Sequence, residues 1–232
     1  PSLEDVKSMI SLIESLGAKV KKKDQNYILV TNKILSHEAN YNLVRKMRAS
    51  FLALGPLLTR EGVAKISLPG GCAIGSRPVD LHLYAMKKLG ATIDFFDGYV
   101  IAKSNRKGLK GNKIDFPKIS VGATENAIMA AVLANGETLI NNAAKEPEIL
   151  DLCNCLISMG AKISGAGTSN INIEGINSFL TCSHQVISDR IEACTFIIAA
   201  AITNSSLCIK KINLEHIKIF LDIIKKMGLI FK

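Results

Sequence analysis

Residues 68–82 contain the side chains of this sequence that are best suited to chemistry. The segment reads Leu-Pro-Gly-Gly-Cys-Ala-Ile-Gly-Ser-Arg-Pro-Val-Asp-Leu-His. Glycine permits close backbone approach to a ligand, and loops on rigid scaffolds often carry reactive residues. Arg77 follows Cys72 closely, and a nearby cation with exposed backbone N–H groups can stabilise a thiolate. The alternative for Cys72 is a small buried hydrophobic residue, which is how most free cysteines behave.

A second candidate site begins at Ser120, where the sequence Ser-Val-Gly-Ala-Thr opens a predicted helix. The first N–H groups of a helix have no partner within it, so a helix N-terminus favours phosphate groups. The alternative is that Ser120 is an ordinary N-cap residue. Both interpretations remain open from the residues alone.

The arginines point to a local anion site. The chain has 29 Lys+Arg against 20 Asp+Glu, a formal net charge of +9, yet 23 of the cations are Lys and only six are Arg. Lysines mostly solvate surfaces, whereas the arginine fork suits phosphate and carboxylate groups. Four of the six arginines lie in one stretch, at Arg45, Arg48, Arg60 and Arg77.

Composition excludes several classes of protein. With 232 residues, 48% hydrophobic and 21% charged, the chain has the size of one large domain or two small ones and is not intrinsically disordered. No apolar run spans a bilayer and no secretory signal is present, so we expect a soluble, cytoplasmic protein. The six cysteines form no CxxC pair, which argues against structural zinc and favours reduced thiols.

The elements that position these residues recur along the chain. A Leu-Gly or Met-Gly pair returns at intervals of roughly 70 residues, which suits a supersecondary unit of several elements. Apolar residues at helical spacing precede each glycine, and a predicted hairpin follows it, so we expect the glycine to end the helix at C′. The copies lie at residues 16–20, 89–93 and 159–163, with a degenerate fourth at 227–230.

Each repeat also has a second predicted helix followed by a β-rich run, which makes the unit a βαβαββ arrangement. Three such units predict an α/β domain with the sheets outside and the helices buried, because residues 127–134 and 197–202 are apolar almost all round. An ordinary doubly wound sheet is the alternative, but it does not predict regular terminal glycines. The predicted helices are 41–58, 122–133 and 189–202, and the runs are 64–68, 138–140 and 207–209.

The repeat also predicts the domain organisation. Residues 1–187 are expected to form a domain of three βαβαββ-type units, the first incomplete, and residues 188–232 the last helix-strand-helix part of the array. The chain begins at a helix without its preceding half-unit and ends where a fourth hairpin is expected. We therefore expect it to be part of a longer protein.

Six segments together resemble the UDP-N-acetylglucosamine 1-carboxyvinyltransferases, a family of enolpyruvyl transferases. The resemblance runs in collinear order over nearly the whole chain, and the cysteine loop is highly specific to this family. It implies an inside-out α/β barrel of two domains, each of three βαβαββ units, with the active site between them and this chain as most of one domain. The segments are 46–50, 53–57, 67–82, 119–124, 142–149 and 189–192.

The resemblance also implies roles for individual residues. Cys72 corresponds to the cysteine that forms an adduct with phosphoenolpyruvate, donates a proton and is alkylated by fosfomycin. Ile119 departs from the family's usual valine, and Glu146, Glu148, Asp189 and Arg190 are interpreted as capping or ion-pairing groups. The substrate-binding positions are Arg48, then Arg77, Pro78, Val79, Asp80 and Leu81 at the uridine end, and Lys118, Ile119, Ser120 and Val121 at the diphosphate.

The implied activity is transfer of the enolpyruvyl group of phosphoenolpyruvate to the 3-hydroxyl of UDP-N-acetylglucosamine, with release of phosphate, in peptidoglycan synthesis. It needs no metal or other cofactor, no nucleic acid and no membrane. The family places the general base and further contacts in a second domain of the same polypeptide, so we expect this chain alone to be inactive. The alternatives are a shikimate-pathway enolpyruvyl transferase, whose family lacks the cysteine loop, a basic RNA-binding or RNA-processing repeat domain, and a structural or interaction fragment.

Overall fold

The computed structural model describes residues 3–44, 47–68 and 78–230. The chain divides into two compact units, Pro1–Ser183 and His184–Lys232. The first unit contains three sheets, and the second is helical in its described part.

The first unit begins with a helix and a hairpin and continues with two longer groups of elements. The opening group is α1 (Glu4–Ser15), β1 (Lys19–Lys23) and β2 (Asn26–Val30). The next is β3 (Glu38–Ala39), α2 (Tyr41–Val44), a 3-10 helix (Arg48–Ala53), α3 (Leu54–Glu61), β4 (Val63–Ser67), α4 (Asp80–Lys88), β5 (Thr92–Phe96) and β6 (Tyr99–Lys103). The last is β7 (Lys113–Asp115), α5 (Val121–Ala131), β8 (Glu137–Asn141), α6 (Pro147–Ser158), β9 (Lys162–Ser164) and β10 (Asn170–Glu174).

The two longer groups have the same topology, which confirms the predicted βαβαββ repeat. Their sheets have the strand orders β3-β4-β6-β5 and β7-β8-β10-β9. In each, the first two strands are parallel and the other neighbours are antiparallel, with Ala39 opposite Ile66 and Ile114 opposite Ile140 in the parallel pairs. Parallel neighbours require a crossover, which the helices supply, whereas the last two strands of each group form a hairpin.

The recurring glycines end their helices as predicted. Gly17, Gly90, Gly160 and Gly228 have φ values of +111°, +91°, +93° and +97°, in the left-handed region where a side chain is strained. Each glycine N–H donates to the carbonyl of the residue three positions earlier. At Gly17 a Cβ would also lie 2.8 Å from the Leu35 nitrogen, so two physical reasons require glycine there.

Helix α5 lies at the centre of the first unit, and the sheets lie outside it. Ala127, Ile128, Ala130 and Ala131 are fully buried, which confirms that the apolar stretch at 127–134 is enclosed. Strands β8 and β10 alternate between buried and exposed positions, as expected for sheets with one face on the core.

The second unit corrects two predictions. Its described elements are α7 (Arg190–Ile202), a 3-10 helix (Leu214–Ile217) and α8 (Lys218–Lys226). Residues 197–202 are not enclosed, because Ile198 is 47% exposed and Ile202 80% exposed. The predicted strand at 207–209 does not form. The physical reason is the same for both: the described part of this unit has no strand to pair with and too few helices to surround α7.

Candidate functional site

Nine of the eleven predicted site residues lie in the described structure, and they occupy three segments. Cys72 and Arg77 fall outside the described residues. The others are Arg48, which begins the 3-10 helix, the group Pro78, Val79, Asp80 and Leu81 at the start of α4, and the group Lys118, Ile119, Ser120 and Val121 at the start of α5.

Arg48 owes its position to a break in the helix predicted over 41–58. The backbone is extended at Met47, with φ −150° and ψ 121°, so the chain turns before Arg48 and resumes as a 3-10 helix. Arg48 Nη2 then donates to the Pro78 carbonyl oxygen at 3.1 Å. This hydrogen bond joins the first segment to the second, although the two residues are 30 positions apart in sequence.

The start of α4 is anchored in the core by two apolar side chains and exposes the residues between them. Val79 and Leu81 are buried, whereas Pro78 and Asp80 are exposed. Val79 is the N-cap residue and supplies no side-chain acceptor to the first turn of the helix. The N–H groups of this turn therefore remain suited to acceptors of a ligand.

At the third segment Ser120 is the N-cap of α5. Its Oγ accepts from the Ala123 N–H at 3.4 Å, and its backbone oxygen accepts from the Thr124 N–H at 3.0 Å. Ser120 is therefore an N-cap, as the alternative interpretation expected, but its one side-chain oxygen satisfies only some of the N–H groups of the first turn of α5. Lys118 and Ile119 are exposed just before this turn.

Helix α4 is fixed against the turn that leads into α5. The Tyr84 hydroxyl donates to the Asp115 carbonyl at 3.0 Å, and the Tyr84 and Phe116 rings lie 6.2 Å apart. Asn142 Nδ2 donates to the Phe116 carbonyl from the other side at 2.9 Å. These contacts hold the second and third segments in a defined arrangement.

Beneath the three segments lies a buried polar group that we call the His82–Asn126 cluster, made of Phe51, Gly55, His82 and Asn126. Asn126 Oδ1 accepts from the Gly55 N–H at 2.7 Å, and Asn126 Nδ2 contacts the Phe51 carbonyl at 3.2 Å and His82 Nδ1 at 3.1 Å. Burial, followed by the nearby Arg48 charge, lowers the pKa of His82 to about 4, against a smaller raising effect of Asp80.

Sequence reasoning did not identify this cluster. His82 stands at the end of the quoted loop segment but was not assigned a role. A usable signal was the position of Asn126, a polar side chain next to the apolar stretch at 127–134, where a buried amide requires partners.

The predicted arginine cluster does not form one site, because Arg60 lies away from Arg48. Arg60 lies near the C-terminal end of α3, whereas Arg48 begins the 3-10 helix that precedes α3. Arg60 Nη2 donates to the Thr31 carbonyl at 3.4 Å. There it serves the C-terminal end of the helix, where a cation is favourable. Arg45 falls outside the described residues, so Arg48 is the described member at the site.

Among the acidic residues, Asp189 has the capping role that its sequence position indicates. Asp189 caps α7, because its Oδ1 accepts from the Ile191 and Glu192 N–H groups at 2.8 and 2.9 Å. Burial and the charges of Glu148 and Glu146 raise the pKa of Glu125 on α5 to about 7. Among the described residues, no group of three or more His, Cys, Asp or Glu side chains could hold a metal ion, and no described helix could span a membrane.

All 232 residues match the EPSP synthase (3-phosphoshikimate 1-carboxyvinyltransferase) family. The chain belongs to this family. It is 54% identical over 204 residues to the UDP-N-acetylglucosamine 1-carboxyvinyltransferase of Paracoccus denitrificans, covering 87% of this chain and 48% of that protein. It is 52% identical over its whole length to the enzyme of the same name from Endomicrobium trichonymphae, covering 55% of that protein. The chain therefore spans about half the length of these relatives.

Solved structures show the same fold. The enolpyruvyl transferase NikO from Streptomyces tendae matches with a TM-score of 0.73 at 23% identity, over 86% of this chain and 47% of that one. The EPSP synthase of Acinetobacter baumannii matches with a TM-score of 0.64 at 20% identity, over 87% of this chain and 46% of that one. The predicted inside-out α/β fold of βαβαββ units is thereby confirmed.

Proposed function

We propose that the full-length gene product containing this chain transfers the enolpyruvyl group of phosphoenolpyruvate to the 3-hydroxyl of UDP-N-acetylglucosamine and releases phosphate. The observation that carries the proposal is the convergence of three binding segments in unit Pro1–Ser183. Arg48 bonds to Pro78, α4 is fixed to the turn before α5, and the other predicted binding residues of the described structure lie at the N-termini of α4 and α5. Identity above 50% to proteins named for this activity adds support.

In this proposal the three segments bind the sugar nucleotide. The uridine end is assigned to Arg77 and residues 78–81, where the exposed Pro78 and Asp80 alternate with the buried Val79 and Leu81. The diphosphate lies at residues 118–121, because the N–H groups of a first helical turn and its dipole favour anions. Arg48 contributes a cation at the junction of the two groups.

In this proposal Cys72 is the general acid of the reaction. The sugar 3-hydroxyl oxygen forms a bond to C2 of phosphoenolpyruvate while C3 accepts a proton, for which Cys72 is the candidate donor. C3 then loses a proton as the bond from C2 to the phosphate oxygen breaks, and phosphate leaves. Arg77 and Arg48 stabilise the anionic groups throughout. No residue of this chain is assigned as the base that accepts the hydroxyl proton.

The finer organisation is part of the same proposal. Residues 1–187 serve as the catalytic-loop domain, residues 188–232 lead towards a second domain of the same polypeptide, and the reaction takes place in the cytoplasm with small molecules only. It uses no metal, cofactor, nucleic acid or membrane. Because the base belongs to the second domain in this scheme, the 232-residue chain by itself is inactive.

Phosphate release by the full-length gene product tests the proposal. We expect release to require both phosphoenolpyruvate and UDP-N-acetylglucosamine, and we expect Cys72→Ala and Arg77→Ala to lose it. Normal turnover of both variants would refute the site, and sugar-nucleotide-dependent release by the 232-residue chain would refute the need for a second domain. Cys208→Ala is a matched control for the cysteine, since Cys208 is exposed in the second unit.

The family description makes shikimate 3-phosphate the alternative acceptor to test. The same assay with shikimate 3-phosphate in place of the sugar nucleotide separates the two acceptors. Faster release with shikimate 3-phosphate would replace our assignment of the substrate while retaining the reaction type.

A further inference from the structure

The His82 ring lies where the three binding segments meet. It projects from α4 two positions after Asp80 and packs edge-to-face with the Phe51 ring of the 3-10 helix, with the ring centroids 5.3 Å apart and the planes at 89°. Its other side faces the first turn of α5, where a methyl group placed on Gly122 would be 3.2 Å from His82 Cε1 and 3.4 Å from Nε2. One side chain, 6% exposed, therefore touches all three elements.

The hydrogen bonds of Asn126 determine the protonation of this ring. Because Oδ1 accepts from the Gly55 N–H, Nδ2 must face both the Phe51 carbonyl and His82 Nδ1. An amide N–H that faces Nδ1 requires this nitrogen to be an acceptor, so the ring proton lies on Nε2. Burial and the Arg48 charge, which lower the pKa of His82, favour the same neutral form.

The lack of a side chain at Gly122 is the second feature that this packing requires. The ring occupies the space beside Gly122 that a side chain there would need. The first turn of α5 can therefore pack directly on α4 at His82. Loss of the ring or of its bond to Asn126 would leave this turn without support at its inner side.

We propose that His82 is a positioning residue for the sugar nucleotide. Its neutral imidazole, protonated on Nε2, holds the anion-binding turn at Val121 and Gly122 against α4 and the 3-10 helix that begins at Arg48. This role rests on the proposed function, because it concerns the substrate site assigned there. It acts through the turn and not on the reacting atoms. It therefore affects binding of the sugar nucleotide more than that of phosphoenolpyruvate.

The test compares His82→Leu with His82→Asn in the full-length gene product, with His37→Leu as the matched control. Leu keeps apolar bulk but removes one of the two acceptors of Asn126 Nδ2, whereas Asn places an oxygen near the position of Nδ1. His37 is exposed and lies outside the site. Steady-state phosphate release gives kcat and both KM values, at a temperature where circular dichroism shows every variant folded.

We expect His82→Leu to raise the KM for UDP-N-acetylglucosamine by about tenfold or more, as for loss of one well-placed hydrogen-bonding group. The KM for phosphoenolpyruvate and kcat should stay within about threefold, and His82→Asn should recover most of the loss. An unchanged KM in His82→Leu, or equal changes in all three constants, would overturn the role.

Nitrogen NMR of the imidazole provides a reading that does not depend on activity. The signals of His82 should show Nε2 protonated and Nδ1 unprotonated from pH 8 down to about 5. A His82 ring that gains its second proton near pH 6.5 would overturn the proposed state. A wild-type protein that releases no phosphate with the sugar nucleotide would instead refute the proposed function, and the substrate role would fall with it.

Discussion

Replacing Asn126 with Ala should be among the most destabilising single changes in the first unit. The side chain is 0% exposed and makes three hydrogen bonds, with the Gly55 N–H, the Phe51 carbonyl and His82 Nδ1. Its removal leaves the Gly55 N–H and His82 Nδ1 without this partner, and each costs about 1 kcal/mol or more, whereas the Phe51 carbonyl still accepts from the Leu54 N–H. The cavity adds about 1 kcal/mol. We therefore expect the free energy of unfolding to fall by about 3 kcal/mol, a large share of the roughly 5–15 kcal/mol that stabilises a typical domain.

Urea unfolding followed by circular dichroism measures this change, and Asn154→Ala is the matched control. Asn154 lies exposed on α6, so its substitution should change the free energy of unfolding by less than about 0.5 kcal/mol. A loss below about 1 kcal/mol for Asn126→Ala would refute the reasoning, because it would mean that water or neighbouring groups satisfy both the Gly55 N–H and His82 Nδ1.

Asn126→Asp separates the hydrogen-bond argument from the cavity argument. Aspartate keeps the volume and the acceptor for Gly55 but loses both donor hydrogens and places a carboxylate opposite His82 Nδ1. A buried carboxylate beside imidazole favours the protonated ring, so the pKa of His82 should rise above its wild-type value of about 4. NMR titration of the ring measures the shift, and a pKa that stays near 4 would show that Asn126 does not set the state of His82.

Three further predictions test other features. Glu125→Gln should raise the free energy of unfolding at pH 8 by about 1–3 kcal/mol relative to the control Glu61→Gln. The pKa of Glu125 is raised to about 7, so the wild type loses stability as the pH rises from about 4.5 through 7. Equal pH profiles of unfolding free energy for the wild type and Glu125→Gln would contradict this. Gly55→Ala should cost about 1–3 kcal/mol in thermal or urea unfolding, since its Cβ would lie 2.5 Å from Asn126 Oδ1 and 2.6 Å from the Asn126 backbone oxygen; an unchanged Tm would show that α3 can shift freely. Fosfomycin with UDP-N-acetylglucosamine should label Cys72 by mass spectrometry and spare Cys153, whose pKa burial raises to about 11; labelling of Cys153 instead would contradict the assignment of the reactive thiol.

The sequence predicted the repeat unit well because the repeat is encoded locally. Apolar spacing, a glycine at C′ and a turn before each hairpin specify the order βαβαββ, and Gly90 and Gly160 occupy equivalent places in the two complete units. The break at Met47 was not predictable in this way, since residues 41–58 have an unbroken helical pattern. Packing decides it: Gly55 must approach Asn126 closely, which fixes α3 and lets the preceding residues turn as a 3-10 helix.

The predicted burial of residues 197–202 failed for a reason of the opposite kind. An apolar composition indicates that a helix is buried on every side, but it does not specify which elements pack around that helix. In α5 the cover comes from elements of the same unit, namely α3, α4 and the sheets. For α7 the described part of its own unit supplies two short helices, so Ile202 remains exposed.

The His82–Asn126 cluster explains why a polar core is retained at this point of an otherwise apolar unit. A core of apolar side chains would bury α5 equally well but would not define its rotation against α4 and the 3-10 helix, because hydrophobic contacts are not directional. The three hydrogen bonds of Asn126 are directional, and they are satisfied together in the observed packing of Gly55, Phe51 and His82. They therefore fix the position of Gly122 and Val121 relative to Pro78, which is the geometry that the proposed sugar-nucleotide site requires.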